Sequence, residues 1–128
     1  MVSRADFALA ASERLVFEAQ LLLEKGEEVE AARRAFDAML GAAEGLVRLE
    51  NPDAARDPDA LVEAFRRRFY ETRLFFDPYA GGKFAHYFFS AHRSGDEGVG
   101  AERARQRIEE AQLFIEAAHG CHRRWLER

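Results

Sequence analysis

The chain has one cysteine, Cys121, in 128 residues. An intramolecular disulfide is therefore excluded. A lone thiol suits a reducing compartment, so the expected location is cytoplasmic. Lysine is almost missing: apart from Lys25 and Lys83, 17 of the 19 basic residues are arginine. The formal net charge is −4, which supplies no overall field for a phosphate backbone, so nucleic acid is not an expected partner. Proline occurs three times, at Pro52, Pro58 and Pro78, which leaves long stretches free to be helix. No apolar run reaches the length of a signal sequence or a membrane span, and Arg4, Asp6, Glu13 and Arg14 interrupt the first such stretch. No membrane partner is expected. Strand alternation and internal repeats are also missing.

What is present is the balance of a globular protein, 48% hydrophobic and 33% charged, enough for one helical domain over residues 1–128 without a metal or disulfide to hold it. A first helix is expected from Ser3 to Glu24, with Ser3 and Asp6 as a capping pair. Its apolar stripe reads Ala8, Ala11, Leu15, Ala19, Leu22. Lys25-Gly26 ends it and implies a hairpin into a second helix starting near Glu27. The stripe there is Val29, Ala32, Phe36, Met39, Ala43, Leu46, flanked by small residues that permit close approach. Residues 49–57 read as a loop. Asp57-Pro58 opens a third helix to about Thr72, and a fourth, short helix spans about 83–93. The segment 94–100 is the most flexible by composition. Its three glycines lack the positive field of a phosphate cradle. A closing helix spans about 101–126, with Ala104, Ile108, Ala111, Ile115, Ala118, His122 and Trp125 in phase.

The aromatic residues are concentrated. Residues 65–92 hold 10 of the 15 aromatic residues of the chain, together with the turn sequence Asp77-Pro78-Tyr79-Ala80-Gly81-Gly82. Two short helices can each bury one stripe, so some rings should be left over. Phe69, Phe75, Phe76, Tyr79, Phe84, Phe88 and Phe89 are therefore expected to form a partner interface, where aromatic side chains are enriched.

The order of features resembles the HEPN family of small helical domains. The residues that carry the resemblance are Ala10-Ala11-Ser12-Glu13-Arg14-Leu15, the second-helix run from Ala31 to Ala43, and Ile108-Glu109-Glu110-Ala111-Gln112-Leu113-Phe114-Ile115. Many HEPN domains are ribonucleases with an Arg, four to six residues, and then a His. None of His86, His92, His119 or His122 has an Arg at that distance. The resemblance thus implies a non-nucleolytic member and a homodimer. Residues Asp77 to Tyr87 also look like helical segments associated with sirohaem sulfite or nitrite reductases. With one cysteine the chain cannot hold their iron–sulfur cluster itself, so this resemblance implies an accessory to a larger enzyme. No cofactor is expected.

Three groups of residues remain as candidate chemistry. His119, Cys121 and His122 are a conceivable metal set, two imidazoles and a thiolate. Against it, Cys121 reads equally as a small buried hydrophobe and His122 as a neighbour of Trp125. Arg66, Arg67, Tyr70 and His86 could bind a nucleotide-containing ligand by charge and stacking. Against this, Arg66-Arg67-Arg68 reads as a solvated face paired with Glu63 and Glu71. His86 and His92 are six residues apart, out of phase for one ligand.

The expected architecture is an all-α, five-helix up-down bundle: a long-helix hairpin, two short aromatic helices and a long C-terminal helix. The leading functional reading is a non-catalytic, homodimeric interaction module. The alternative is a small metal-binding or hydrolytic helical protein using His86 and His92, or His119, Cys121 and His122. The two differ in one testable way: an enzyme gathers titratable groups from two helices into one pocket, and a module presents an aromatic patch.

Overall fold

The structure is a computed structural model that describes residues 4–54, 57–75, 88–89 and 100–127. Of these, 86% are helical and none is in a strand. Helix α1 spans Arg4–Glu24, α2 Glu28–Glu50, α3 Pro58–Phe65 and α4 Ala101–Glu127. A π turn, Arg66–Tyr70, continues α3. Among the described residues no helix is long and apolar enough to cross a membrane. Phe88 and Phe89 are helical. The rest of the expected short helix over 83–93 lies outside the described residues, as do Ser3 and the Asp77–Gly82 turn.

The α1–α2 turn follows from Gly26. Its φ of 79° is a left-handed value that glycine adopts without a Cβ penalty. The Glu27 amide donates to the Leu22 carbonyl at 2.9 Å, and that of Gly26 to Leu23 at 3.0 Å. These two bonds satisfy carbonyls that the helix end leaves open. Asp57 caps α3, its carboxylate accepting from the Ala60 amide at 3.1 Å, with Pro58 in the first turn.

The two hairpin helices run antiparallel, with the Glu18–Arg34 pair at 2.7 Å near the turn and Ala8 against Gly45 at the far end. α4 packs on both. His119 of α4 meets Glu13 of α1, and His122 meets Asp6, so α4 is antiparallel to α1 and runs in the same sense as α2. A strictly alternating five-helix bundle would set the closing helix parallel to α1; the long excursion between α2 and α4 lets the chain return in the other sense. Small residues let the helices of the hairpin close up: a Cβ built on Gly45 would lie 2.6 Å from the Ala8 methyl, and one on Gly41 3.0 Å from Ser12 Oγ.

Helix α2 is the central element. It touches α1, α3 and α4, and Ala31, Ala32, Ala35, Ala38, Met39, Ala42, Ala43 and Leu46 are all buried. Of the expected stripe, Ala32, Met39, Ala43 and Leu46 are buried, Phe36 is half-buried and Val29 is 41% exposed. The expected α1 stripe is rotated. The buried face is Ala5, Leu9, Ser12, Val16 and Ala19, while Ala11 is exposed. Alanine is spread all round α1, so the larger Leu9 and Val16 decide which side faces the core.

Glu110 of α4 is a buried carboxyl, 9% exposed. Burial raises its pKa above the ordinary 4.5, against lowering by Arg107, Arg103 and a hydrogen bond from Gln106. A raised native pKa favours the protonated form. Its contribution to stability is present below the unfolded value and is lost as pH rises through the native one. Glu110→Gln is therefore expected to raise stability at neutral pH and to flatten its decline above the ordinary glutamate range. Urea titrations across that range check this, and equal pH slopes in both proteins would count against it.

Candidate functional site

Four residues of the expected aromatic interface, Phe69, Phe75, Phe88 and Phe89, are buried inside the chain instead. Phe65 is the hub of a ring cluster: its centroid lies 6.2 Å from Phe69, 5.1 Å from Phe75, 5.8 Å from Phe88, 6.0 Å from Phe89 and 5.6 Å from Phe114. Phe69, Phe75, Phe88 and Phe89 are buried at 0%, 3%, 0% and 6% exposure. Rings at that depth are the core of this chain and present no surface to a partner. Phe36 and Phe114, from the long helices, supply the packing walls that short helices lack: Phe36 stacks on Phe88 at 5.7 Å and Phe114 lies 5.0 Å from it. Phe76, Tyr79 and Phe84 lie outside the described residues.

The π turn shapes the region of the expected ligand site. Its wider turn, closed by the Glu71 amide on the Arg66 carbonyl at 2.8 Å, carries Phe69 inward beside Phe65 and leaves Arg67 and Arg68 exposed. The Arg66 guanidinium sits 4.5 Å from the Phe89 ring centre, a cation–π contact. Tyr70 meets the same ring edge-on at 5.3 Å. Arg66 and Arg67 both approach Glu63, at 3.6 and 3.8 Å. Arg66 and Tyr70 thus converge on Phe89, while Arg67 points its charge along the helix surface. His86 and His92 lie outside the described residues. The chain then leaves through Arg73, whose φ of 65° is uncommon for a residue with a Cβ. Arg124 of α4 fastens the exit: its guanidinium donates to the Leu74 carbonyl at 3.0 and 2.8 Å.

His119, Cys121 and His122 do not form one site. Cys121 is fully buried in the core, and burial pushes its thiol up to about 12. A group held so far from the thiolate form is neither a ready ligand nor a nucleophile. His119 Nε2 contacts Glu13 Oε1 at 2.7 Å on the surface. His122 is 6% exposed, with Nδ1 3.7 Å from Asp6 Oδ1 and Nε2 buried without a hydrogen-bond partner. Among the described residues no three His, Cys, Asp or Glu side chains are placed to hold a metal ion. His119 and His122, three residues apart, both reach carboxylates of α1, while Cys121 is turned into the core.

Two features are missing from the sequence reading. One is a groove of about 460 Å³ between α1 and α4, lined by Glu13, Val16, Phe17, Gln20, Leu113, Ile115, Glu116 and His119 among others. The Glu13–His119 contact closes one end of it. The other is the outer face of α1, where Phe7 and Phe17 are 67% and 59% exposed. The signal for that face was present: Phe7, Phe17 and Leu21 all lie off the stripe assigned to the core. The chemistry available in the groove is one imidazole beside two carboxylates and an aromatic wall. Comparison with models of protein families, with curated proteins and with solved structures found no match for this chain.

Proposed function

We propose that this chain is a non-catalytic, HEPN-like helical interaction module that works as a homodimer, in the cytoplasm, and serves a larger enzyme of the sulfite or nitrite reductase type. The observation that carries the reading is the pair of large rings, Phe7 and Phe17, standing open to solvent on α1. An exposed aromatic patch marks a surface made to be covered. The order of elements, a long hairpin followed by a short helix and a long closing helix, also supports it. The reading keeps a short aromatic helix over 83–93 as a fifth element. Arg66, Arg67 and Tyr70, together with His86, are the residues a nucleotide-containing ligand would use, the first three on the π turn.

One observation favours the alternative of a small hydrolytic protein. Glu13 and His119 come from two helices and meet at a groove, with Glu116 beside them. A carboxylate that orients an imidazole is a general-base arrangement. Both side chains are well exposed, however, at 57% and 41%, and water surrounds the pair. One experiment separates the readings. Light scattering at micromolar concentration is expected to give twice the chain mass, with model esters and phosphate esters left intact. A monomer, or turnover that disappears in His119→Gln, would overturn the module reading.

A further inference from the structure

The outer face of α1 has a period as well as exposure. Phe7, Ala10, Arg14, Phe17 and Leu21 follow one another at steps of three, four, three and four. This is the seam of a helix that packs lengthwise on another helix. Yet this face is left open: Phe7 is 67%, Phe17 59% and Leu21 40% exposed, and Ala10 and Arg14 are exposed too, with Phe17 at the edge toward α4. In the described part of the chain the other large exposed hydrophobics are Val29 and Leu126, on two different helices. The α1 seam is the continuous one.

We propose that the occupant of this seam is α1 of a second copy of the chain, antiparallel, with Phe7 of each copy opposite Phe17 of the other. The inference rests on the self-association reading and says where the twofold contact lies. Charge and size select this arrangement. In a parallel pair, Arg14 would lie against Arg14 and Glu13 beside Glu18, two like-charge approaches in each seam. In the antiparallel pair, Arg14 falls on Ala10 of the other copy, whose methyl leaves room for the arginine stem. Arg4 comes beside Glu18 of the other copy. Two like-charge approaches remain near the axis: Glu13 to its own copy, where each Glu13 is already bonded to His119 at 2.7 Å, and Arg14 to its own copy one turn out of register, where each long stem can turn its charge outward. The groove completes the fit. Phe17 stands on its rim, Val16 and Ile115 lie within it, and Leu113 is on the α4 side. Phe7 of the second copy, arriving opposite Phe17, comes to the rim of this groove.

Cross-linking on the full chain tests the register, because the native Cys121 is buried and does not compete. Ala10→Cys and Arg14→Cys proteins, both at exposed positions, are oxidised mildly, alone and as an equal mixture. The mixture is expected to give a covalent dimer well above either protein alone. Sedimentation is expected to show the wild type as a dimer and Phe17→Glu weakened by about 30-fold or more, the scale of losing a buried aromatic anchor. The helical spectrum and melting of Phe17→Glu should match the wild type. Ala10→Cys linking to itself as fast as the mixture would mean a parallel pair and overturn the proposal. A dimer that survives Phe17→Glu and gives no mixed link would place the contact elsewhere, overturning this inference but leaving the module reading. A wild-type monomer would leave the seam to a different protein and overturn both.

Discussion

Phe65→Ala is expected to lower the unfolding free energy by about 3–5 kcal/mol, the range for removing a buried ring from a packed core. The value belongs at the upper end because of what surrounds the ring. Phe69 and Phe75 reach Phe65 from the π turn and its exit, Phe88 and Phe89 from the next described segment, and Phe114 from α4. The ring is fully buried, and rigid neighbours cannot collapse into the space it leaves. Edge-on contacts with Phe75 and Phe88, at 78° and 86°, would be lost as well. A domain of this size has about 5–15 kcal/mol in total, so the variant should sit near the edge of folding. Denaturant titration with circular dichroism reads the change. Phe65→Leu should recover roughly half of it by refilling volume. A loss below about 1 kcal/mol would mean that the cluster is less tightly packed than these distances state.

Gly45→Ala should also destabilise, by about 1–3 kcal/mol, as overpacking does. The sign is the informative part. In an isolated helix the same change helps by about 1 kcal/mol. Here the new methyl would lie 2.6 Å from the Ala8 Cβ and 4.0 Å from the Ala5 backbone, closer to Ala8 than any carbon pair can rest. Alanine has no flexible end to swing aside, so α1 and α2 must separate. The partner change Ala8→Gly, made together with Gly45→Ala, should restore most of the loss by moving the methyl across the interface. Gly41→Ala is the control: its Cβ would meet the Ser12 hydroxyl at 3.0 Å, a group that can rotate, and the cost should be smaller. If Gly45→Ala raised the melting temperature, the close approach of the two helices would be wrong.

The hairpin was legible because its signals were local. Gly26 marked the turn, Asp57-Pro58 marked the start of α3, and α2 carried a stripe with one clear phase. α1 was misread because alanine at positions 5, 8, 10, 11 and 19 makes most of its circumference mildly apolar. Which arc faces inward is then decided by Leu9, Val16 and the Gly41–Gly45 surface opposite, and that surface belongs to another helix. Phe7, Phe17 and Leu21 lie off either stripe, and their exposure follows from which arc the rest of the bundle covers. The aromatic stretch failed for the opposite reason. Its rings were counted against two short helices, while Phe36 and Phe114, dozens of residues away, supply the missing walls. The Glu13–His119 contact joins residues 106 apart, and no spacing within the chain announces it.

The central place of α2 has a consequence for the order of events in folding. Its contact with α1 closes over a short turn around Gly26, so that pair forms at little cost in chain entropy. Its contact with α4 requires the chain to bring Ala101–Glu127 back across a much longer loop. Helical hairpins close quickly, and distant pairings come later. The alanine-rich side of α2 therefore waits uncovered for the closing helix, with the hairpin serving as the template on which α4 is laid. During that interval the molecule exposes two apolar surfaces at once, the waiting side of α2 and the outer seam of α1. The chain is then most prone to meet the wrong helix, its own or a neighbour's.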